Sequence, residues 1–210
     1  MNGKSQPVSS LVIRRLPRYY RFLGELLESG VERVSSKKLS EVLGFTASQI
    51  RQDLNCFGGF GQQGYGYNTA ALHQEIGKIL GYDKLKNTVI IGAGNLGRAI
   101  AAGMHFEKRG FNLCGIFDAD EKIIGTDAAG LKVRSIDYLK DFCKEQKVEV
   151  AVICIPKESA KKVISDLIEL GVRGIWNFSH CDVSEFKDRI SIENVHLGDS
   201  LAFLGYTLTE

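Results

Sequence analysis

The sequence lacks the marks of a membrane or secreted protein. No apolar run reaches the roughly 20 residues that a membrane-spanning helix needs, and the N-terminus has no apolar segment of the signal-peptide kind. The five cysteines are odd in number, scattered and without a CxxC pair, a pattern that disfavours a disulfide framework and a zinc site. We therefore expect a cytoplasmic protein with reduced cysteines, no metal and no membrane partner.

Clustered catalytic residues are missing as well. The four histidines form neither a metal-binding motif nor a triad-like group; they are His73, His105, His180 and His196. Asn177 and His180 could approach a bound ligand from the end of a late strand, but two polar residues do not make a catalytic centre. The sequence gives no reason to assign a catalytic residue.

A strong charge of either sign is also absent, since the formal net charge is only +2. The charge is unevenly spread, however. Residues 1–70 carry nine Lys or Arg and five Asp or Glu, a net +4, whereas the remainder carries a net −2. A mildly basic N-terminal region hints at a polyanionic partner for that region.

What the sequence does contain is a glycine-rich motif between a strand and a helix. Residues 88–91 read TVII, and GxGxxG follows at once, with a helix expected over 96–108. In that setting the first glycine allows a tight turn, the second lets a pyrophosphate approach the backbone, and the third lets helix and strand pack closely. The unpaired amides at the helix N-terminus then face the phosphates. The predicted phosphate-binding residues are Gly92, Ala93, Gly94, Asn95, Leu96 and Gly97.

A second strand, over 112–117, ends at Asp118. This acid lies about 20 residues past the last glycine, where dinucleotide-binding folds place a carboxylate for the adenosine ribose. It would repel a 2′-phosphate, so the pattern favours NADH and NAD⁺ over their phosphorylated forms. The alternative is that Asp118 only caps the segment after it.

The first 56 residues predict three short helices. A helix over 17–29 has Pro17 in its first turn, a second over 37–43 ends at Gly44, and a third runs over 46–56. The predicted N-caps are Ser35 or Ser36 for the second helix and Thr46 for the third, where Thr46 and Gln49 have the form of a capping box. The last two helices, joined by a tight turn, are typical of a helix-turn-helix.

The third helix turns Ile50, Leu54 and Phe57 toward the core and presents polar side chains of the types that read base edges in a major groove. Glycines and aromatics over 57–67, almost without charge, favour a β-hairpin wing. The predicted DNA contacts are Ser48, Gln49, Arg51 and Gln52 on the third helix, Lys37 on the second, and Gln62, Gln63 and Tyr65 in the wing. An ordinary helical bundle with a solvated face is the alternative.

The remaining chain alternates strand-like and helix-like segments, the pattern of a parallel sheet covered by helices. A linking helix capped by Thr69 comes first, and a strand over 148–155 is stopped at its carboxyl end by Pro156, which joins the predicted cofactor site. The predicted class is α/β with three parts. They are a winged helix-turn-helix domain over 1–81, a Rossmann-like doubly wound parallel sheet over 82–195, and a C-terminal helix over 196–210.

The C-terminal helix carries four leucines on one side; they are Leu197, Leu201, Leu204 and Leu208. Such a stripe fits a helix docked on its own core, and it equally fits a helix that packs against a second subunit.

A winged helix followed by an NAD-type Rossmann domain in about 210 residues resembles the bacterial redox-sensing transcriptional repressor (Rex) family. The resemblance covers essentially the whole chain. Its most specific stretches are residues 14–21 (RRLPRYYR), 33–36 (RVSS), 49–54 (QIRQDL), 57–67, the GxGxxG turn and 174–178 (GIWNF).

The resemblance implies a homodimeric repressor that binds a palindromic operator and is released when the NADH/NAD⁺ ratio rises. It also implies a C-terminal helix exchanged between subunits. Arg51 matches the family's main recognition-helix arginine, and Asp118 its ribose acid. Arg21 matches an arginine of an interdomain ionic network, but the tyrosine and aspartate partners fall on Gly103 and His196 here. Asp199 or a protonated His196 is the predicted substitute.

Two other classes remain open from the sequence. One is an NAD-dependent oxidoreductase whose N-terminal domain binds a partner. The other keeps the Rossmann-like half but gives it another adenine ligand, such as coenzyme A. The sequence sets neither the operator's bases nor the ratio of affinities for NADH and NAD⁺.

Overall fold

The computed structural model describes residues 8–58, 61–62 and 65–209, and for 61–62 it describes only the backbone. The chain forms two compact units, and it passes from the first to the second between Asp83 and Lys84. No helix in the described ranges is long and apolar enough to cross a membrane. Each unit has its own hydrophobic core.

The first unit is helical with a small antiparallel sheet. Its described helices are α1 (Ser10–Glu28), α2 (Ser36–Leu43), α3 (Ala47–Asn55) and α4 (Thr69–Ile79). Its described strands are β1 (Arg33–Val34), β2 (Gly61–Gln62) and β3 (Gly66–Asn68), in the order β1-β3-β2. β2 and β3 pair antiparallel as the predicted hairpin wing, and the core lies among α1, α3 and α4, where Leu16, Leu23, Ile50 and Ile76 are fully buried.

Local capping explains where α2 and α3 begin. The Ser35 hydroxyl accepts the Lys38 N–H at the start of α2, which decides between the two predicted caps, and Gly44 ends this helix in the left-handed region with φ of 72°. The Thr46 hydroxyl accepts the Gln49 N–H at the start of α3. The Gln49 side chain does not complete the predicted capping box; its Nε2 donates to Asp53.

Two further sequence predictions in this unit are wrong. The first helix begins at Ser10, capped by Ser9, so Pro17 lies inside α1 rather than in its first turn. Pro17 is exposed and removes only one backbone bond, and the burial of Val12 and Leu16 holds the preceding turns in place. The second concerns α4, whose cap is Asn68 rather than Thr69; the Asn68 Oδ1 accepts the Ala71 N–H.

The second unit is built on a sheet with seven strands among the described residues 84–209. They are β4 (Lys86–Ile91), β5 (Phe111–Asp118), β6 (Asp127–Ala128), β7 (Leu131–Ser135), β8 (Val150–Ile153), β9 (Gly174–Asn177) and β10 (Ser191–Asn194). The order is β10-β9-β8-β4-β5-β7-β6, parallel throughout except for the β6–β7 hairpin. The winding direction reverses between β4 and β8, and the carboxyl edge at such a point is where open α/β sheets bind ligands.

Helices cover both faces of this sheet, as predicted for a doubly wound fold. They are α5 (Asn95–Gly103), α6 (Leu139–Gln146) and α7 (Lys157–Glu169), and a further helix, α8 (Leu197–Thr207), follows β10. Val89, Ile91 and Ile153 pack with the buried residues of α6 and α7, whereas Ile90, Ile116 and Val152 pack with those of α5. Alternate residues of each strand thus fill two cores.

The predicted helix over 96–108 is too long. α5 ends at Gly103, His105 takes a left-handed conformation with φ of 44°, and a 3-10 turn follows over Phe106–Arg109. Phe106 is buried in the core beneath α5, and burying this large side chain favours the break over continuing the helix. The short β6 strand was not predicted.

α8 buries none of its residues in the chain's own core. Leu197, Leu201, Leu204 and Leu208 are between 53% and 78% exposed, and Phe203 is 70% exposed. Of the two alternatives left open for the leucine stripe, docking on the chain's own core is not what the structure shows.

Candidate functional site

The glycine-rich turn after β4 has a shape that two of its glycines make possible. Gly92 has φ of 99°, and a Cβ there would lie 2.5 Å from the carbonyl oxygen of Cys154 on the neighbouring strand's end. A Cβ on Gly97 would overlap the carbonyl oxygen of Gly92. Gly92 therefore allows the tight turn and Gly97 the close packing of helix and strand, as the motif predicts.

Gly94 differs because packing does not require it. It is exposed, its φ is −69°, and a Cβ there would meet nothing within 4 Å. It precedes α5, whose first amides have no acceptor one turn earlier and whose residues Asn95 and Leu96 are exposed. Open space before a helix N-terminus is where a phosphate reaches the backbone.

Asp118 ends β5 beside this turn. Its Oδ2 accepts the Ala93 N–H at 2.6 Å, and its Oδ1 accepts the Asp120 N–H at 2.9 Å. The bond from Asp120 is what we expect if Asp118 only caps the segment after it. The bond from Ala93 goes further, because it joins the carboxylate to the glycine-rich turn. Each carboxylate oxygen keeps a second lone pair for a ribose hydroxyl.

Arg98 braces the turn from the other side, and sequence reasoning missed it. Its Nε donates to the Ala93 carbonyl at 2.8 Å, while its Nη1 and Nη2 donate to the Asp127 carbonyl and the Thr126 hydroxyl at 2.8 and 2.6 Å. The partners lie 28 and 29 residues away in an unpredicted hairpin, so the sequence carried no signal for them.

Pro156 lies at the carboxyl end of β8 and caps α7, exposed, on the opposite side of the turn from Asp118. Nearby, burial raises the pKa of the Cys154 thiol to about 12, which keeps it neutral. A dinucleotide laid along this edge from Asp118 would have its second half on the β8 side.

Asn177 at the end of β9 serves the fold rather than a ligand. It is 1% exposed, its Oδ1 accepts from the N–H and the hydroxyl of Ser179, and its Nδ2 donates to the Asn194 Oδ1 at 2.8 Å. The expectation that Asn177 approaches a ligand is not supported, because its amide is already used.

Two of the predicted switch residues, His196 and Asp199, follow β10. His196 precedes α8, and its Nδ1 lies 2.6 Å from the Nδ1 of His180, which has φ of 57°. One imidazole donates and the other accepts in that contact. Asp199 is exposed in the first turn of α8, whereas Arg21 is exposed on α1 of the other unit.

The predicted DNA-contacting side chains on the helices lie on the surface of the first unit. Ser48, Arg51 and Gln52 are exposed on α3, and Lys37 is exposed on α2. The Arg51 Nη1 donates to the Ser36 hydroxyl at 3.1 Å, which leaves its other donors available. In the wing, Tyr65 is 70% exposed and its carbonyl accepts from Arg33, whereas the Gln62 side chain and Gln63 lie outside the described residues.

Behind this surface lies a buried ion pair that the sequence analysis missed. Asp53 is 1% exposed, and its carboxylate accepts two bonds from Arg15, at 2.6 and 2.7 Å, and one from the Tyr19 hydroxyl at 2.6 Å. Gln49 adds a fourth at 3.0 Å. A signal existed, since Asp53 lies three residues after Ile50 on the core-facing side of the helix.

This setting shifts the pKa values of the partners. Burial disfavours the charged carboxylate, but the hydrogen bonds from Arg15, Tyr19 and Gln49 and the charge of Arg15 outweigh it, and the pKa of Asp53 lies below its ordinary value. Burial and the bond to Asp53 raise the pKa of Tyr19. Asp53 is thus held ionised and acts only as an acceptor.

Two family models match the two units. A model described as "Putative DNA-binding protein N-terminus" matches residues 7–55, and one described as "CoA binding domain" matches residues 83–181. Among curated proteins, the chain is 53% identical to the redox-sensing transcriptional repressor Rex of Clostridium perfringens, over 98% of this chain and 96% of the relative. It is 54% identical to the same repressor of Clostridium novyi, over 98% and 97%.

Among solved structures, the chain is similar to RSP, a Rex-family repressor. The crystal structure of RSP in complex with beta-NAD+ and operator DNA is 51% identical, with a TM-score of 0.88 over 97% of this chain and 93% of that one. The structure of RSP with beta-NADH is 48% identical, with a TM-score of 0.88 over 97% and 95%.

Proposed function

The chain belongs to the Rex family of redox-sensing transcriptional repressors, and from that membership we propose how its two units divide the work. It binds operator DNA, senses the balance of NADH and NAD⁺, and leaves the operator when NADH rises. The observation that carries this function is the similarity along nearly the whole chain to RSP, which holds both beta-NAD+ and operator DNA. A repressor acts where the chromosome lies, so we place it in the cytoplasm.

The first unit, up to about residue 81, is the DNA-binding domain. Arg51 contacts a guanine in the major groove, with Ser48 and Gln52 beside it, because arginine pairs well with the two guanine acceptors. Lys37 and the wing residues around Tyr65 meet phosphates, which position the helix but carry no sequence information.

The second unit binds NADH or NAD⁺ along the carboxyl edge of its sheet. The amides of Gly94, Asn95 and Leu96 hold the pyrophosphate, the Ala93 amide holds Asp118, which binds the adenosine ribose, and Pro156 lies on the nicotinamide side. The match to a coenzyme A domain model makes coenzyme A the natural competitor. RSP's complexes with beta-NAD+ and beta-NADH favour the nicotinamide ligands.

The repressor works as a homodimer on a palindromic operator. Two recognition helices must lie about 34–36 Å apart to enter successive major grooves. The exposed apolar residues of α8 fit a helix exchanged with a second subunit, because such a surface is stable only when covered.

The ligand acts by favouring one arrangement of the dimer. A 100-fold difference in affinity between the two arrangements corresponds to about 2.7 kcal/mol per site. NAD⁺ and NADH differ by a hydride and one ring charge, so the discriminating contacts surround the nicotinamide. The proposed switch residues are Arg21 in the first unit and His196 and Asp199 in the second, since Gly103 stands where the family has its tyrosine.

The relatives are regulators, and we propose that this chain binds its nicotinamide ligand without turning it over. Incubation with NADH and candidate carbonyl substrates tests this directly. Sustained oxidation of NADH would show an oxidoreductase.

The decisive experiment is fluorescence anisotropy with operator DNA selected from a random pool, at fixed salt because phosphate contacts make affinity depend on salt. NADH is expected to release the DNA at concentrations where NAD⁺ has little effect. Arg51→Ala is expected to weaken specific binding by about 1–3 kcal/mol. Indifference to both ligands would refute NADH sensing, and the absence of any selected sequence would refute operator binding.

Competitors locate the sensor within the ligand. ADP shares the adenine and pyrophosphate half but lacks the nicotinamide, so it is expected to block NADH without releasing DNA. Release by ADP would move the sensor away from the nicotinamide, and release by coenzyme A alone would overturn the choice of ligand.

A further inference from the structure

Gln49 is the one predicted DNA contact on α3 that the structure does not leave fully exposed. It is half-buried at the N-terminal end of the helix, and its Nε2 donates to the Asp53 Oδ1 one helical turn later. Recognition helices read bases with the residues of this end. Its side chain thus lies between the buried ion pair and the surface that carries Arg51.

The contact with Asp53 fixes which way the Gln49 amide faces. An ionised carboxylate accepts hydrogen bonds and cannot donate one, so the NH₂ group and not the carbonyl oxygen must face Asp53. Arg15 and Tyr19 hold the carboxylate in turn, with three bonds of 2.6 to 2.7 Å. The orientation of Gln49 is therefore set from α1, through Asp53.

An amide held in this way offers a defined pair of groups. One N–H is used by Asp53, which leaves the second N–H and the Oε1. A donor beside an acceptor complements adenine, which presents the N7 acceptor and the N6 donor in the major groove. An amide turned the other way would leave both N–H groups free for the DNA, and two donors complement the two acceptors of guanine.

We propose that Gln49 reads an adenine in the operator and that Asp53 is the positioning residue that sets this preference. The inference rests on the operator binding proposed above and adds a second base-reading residue to Arg51.

The test measures, by anisotropy, the affinity of the full-length protein for a panel of operators that carry every single base-pair substitution. For the wild type we expect one A·T pair whose preference depends on Gln49. Gln49→Ala is expected to reduce the preference at that pair by about fivefold or more, while the preference set by Arg51 stays.

Asp53→Asn tests the positioning role. The oxygen that accepts from Gln49 also accepts from the Arg15 Nη2, so the NH₂ of the new side chain meets an Arg15 donor whichever way it turns and no longer fixes the Gln49 amide. The preference for A·T over G·C at the same pair is then expected to weaken by about fivefold or more, while the preference set by Arg51 stays. Gln49→Glu presents acceptors only, and the preference is expected to move toward cytosine, whose N4 donates.

Asn68→Ala is the matched control, because it removes the cap of α4 and lowers stability without touching α3 or its network. Its base preferences should equal those of the wild type. If Gln49→Ala leaves every preference intact, the inference is wrong, while a lost guanine preference in Arg51→Ala would still support operator binding.

The role of Asp53 is tested separately from that of Gln49. If folded Asp53→Asn keeps the wild-type preference, or loses all preferences together, Asp53 is not a specificity-positioning residue. Should that variant fail to fold, Gln49→Glu decides, since an unchanged A·T preference there also overturns the inference. A wild type without any base preference would defeat both the inference and the proposed function.

Discussion

The two units build their candidate sites from different materials. In the first, the recognition helix is held by a buried charge, since Asp53 is 1% exposed and paired with Arg15 and Tyr19. In the second, the buried polar residues among those described are uncharged, and the ligand edge owes its shape to backbone that tolerates no Cβ at Gly92 and Gly97.

This difference indicates what each site can tolerate. A surface that reads DNA needs side chains fixed in direction, and hydrogen-bonded charge supplies direction. A surface that receives a pyrophosphate needs the backbone itself to be approachable, and missing side chains supply that. The first unit should therefore be sensitive to changes of charge, and the second to added volume.

The largest expected effect is that of added volume in the second unit. Gly97→Ala would force a methyl group onto the Gly92 carbonyl, and we expect a loss of about 3 kcal/mol in the free energy of unfolding, with loss of NADH binding. Trp176, the only tryptophan of the chain, reports this unit's unfolding in urea by fluorescence.

Gly94→Ala is the control for that experiment. Its Cβ meets nothing, so the free energy of unfolding should stay within about 1 kcal/mol of wild type while NADH binding weakens. Equal destabilisation by both alanines would contradict the distinction between packing and ligand glycines.

Removal of charge from the first unit comes next. Asp53→Ala leaves Arg15 without its partner, and we expect a loss of about 3 kcal/mol, the lower end for a broken buried pair because the Arg15 side chain is 21% exposed. Urea unfolding followed by far-ultraviolet circular dichroism should show this loss, while the Trp176 fluorescence transition stays in place.

The matched change in the second unit is Asp127→Ala, which breaks the exposed pair with Lys132. It should alter the free energy of unfolding by no more than about 1 kcal/mol. A similar loss in both variants would remove the contrast between the units.

At acid pH the first unit should lose the stabilisation that the ionised Asp53 provides. The pKa of Asp53 is lowered in the folded state, so its contribution is fully present above the unfolded pKa of about 3.9 and is lost as the pH falls through the lower folded value. We expect the stability difference between wild type and Asp53→Asn to be constant near neutral pH and to shrink below about pH 3.9. A difference that persisted in strong acid would contradict the assignment.

The smallest effect is a gain. Gly103 ends α5 with open space around it and an ordinary φ, so Gly103→Ala should stabilise the second unit by about 0.5–1 kcal/mol. Gly171→Ala is the counterpart, because Gly171 also has open space but a φ of 88° and should lose stability. The free energy of unfolding of both variants is measured from the Trp176 fluorescence transition. If both variants gained or both lost stability, backbone φ would not be what determines the effect of the alanine.

The sequence predicted the features whose residues lie close together along the chain. The GxGxxG turn, Asp118 at the end of the next strand and the paired helices with their hairpin depend on local spacing, and the structure has them all. The Asp53–Arg15 pair joins residues 38 apart, and Arg98 bonds to a hairpin 28 residues on. Such contacts depend on how elements pack, which spacing does not encode.

Some local predictions were also wrong, each at a place where a neighbouring residue makes a more favourable hydrogen bond or buries more apolar surface. Asn68 rather than Thr69 caps α4. Burial of Val12 and Leu16 lets α1 begin at Ser10, seven residues before Pro17. The orientation of Gln49 followed Asp53 rather than the helix N-terminus. Local propensity gives way when a buried group offers a better partner.

The uncovered leucines of α8 have a consequence for gene dosage. If a second copy covers them, the number of active repressors rises with the square of the chain concentration at low expression. A modest drop in synthesis would then open the regulated promoters without any change in NADH. The NADH level at which the promoters open would then depend on how much repressor the cell makes.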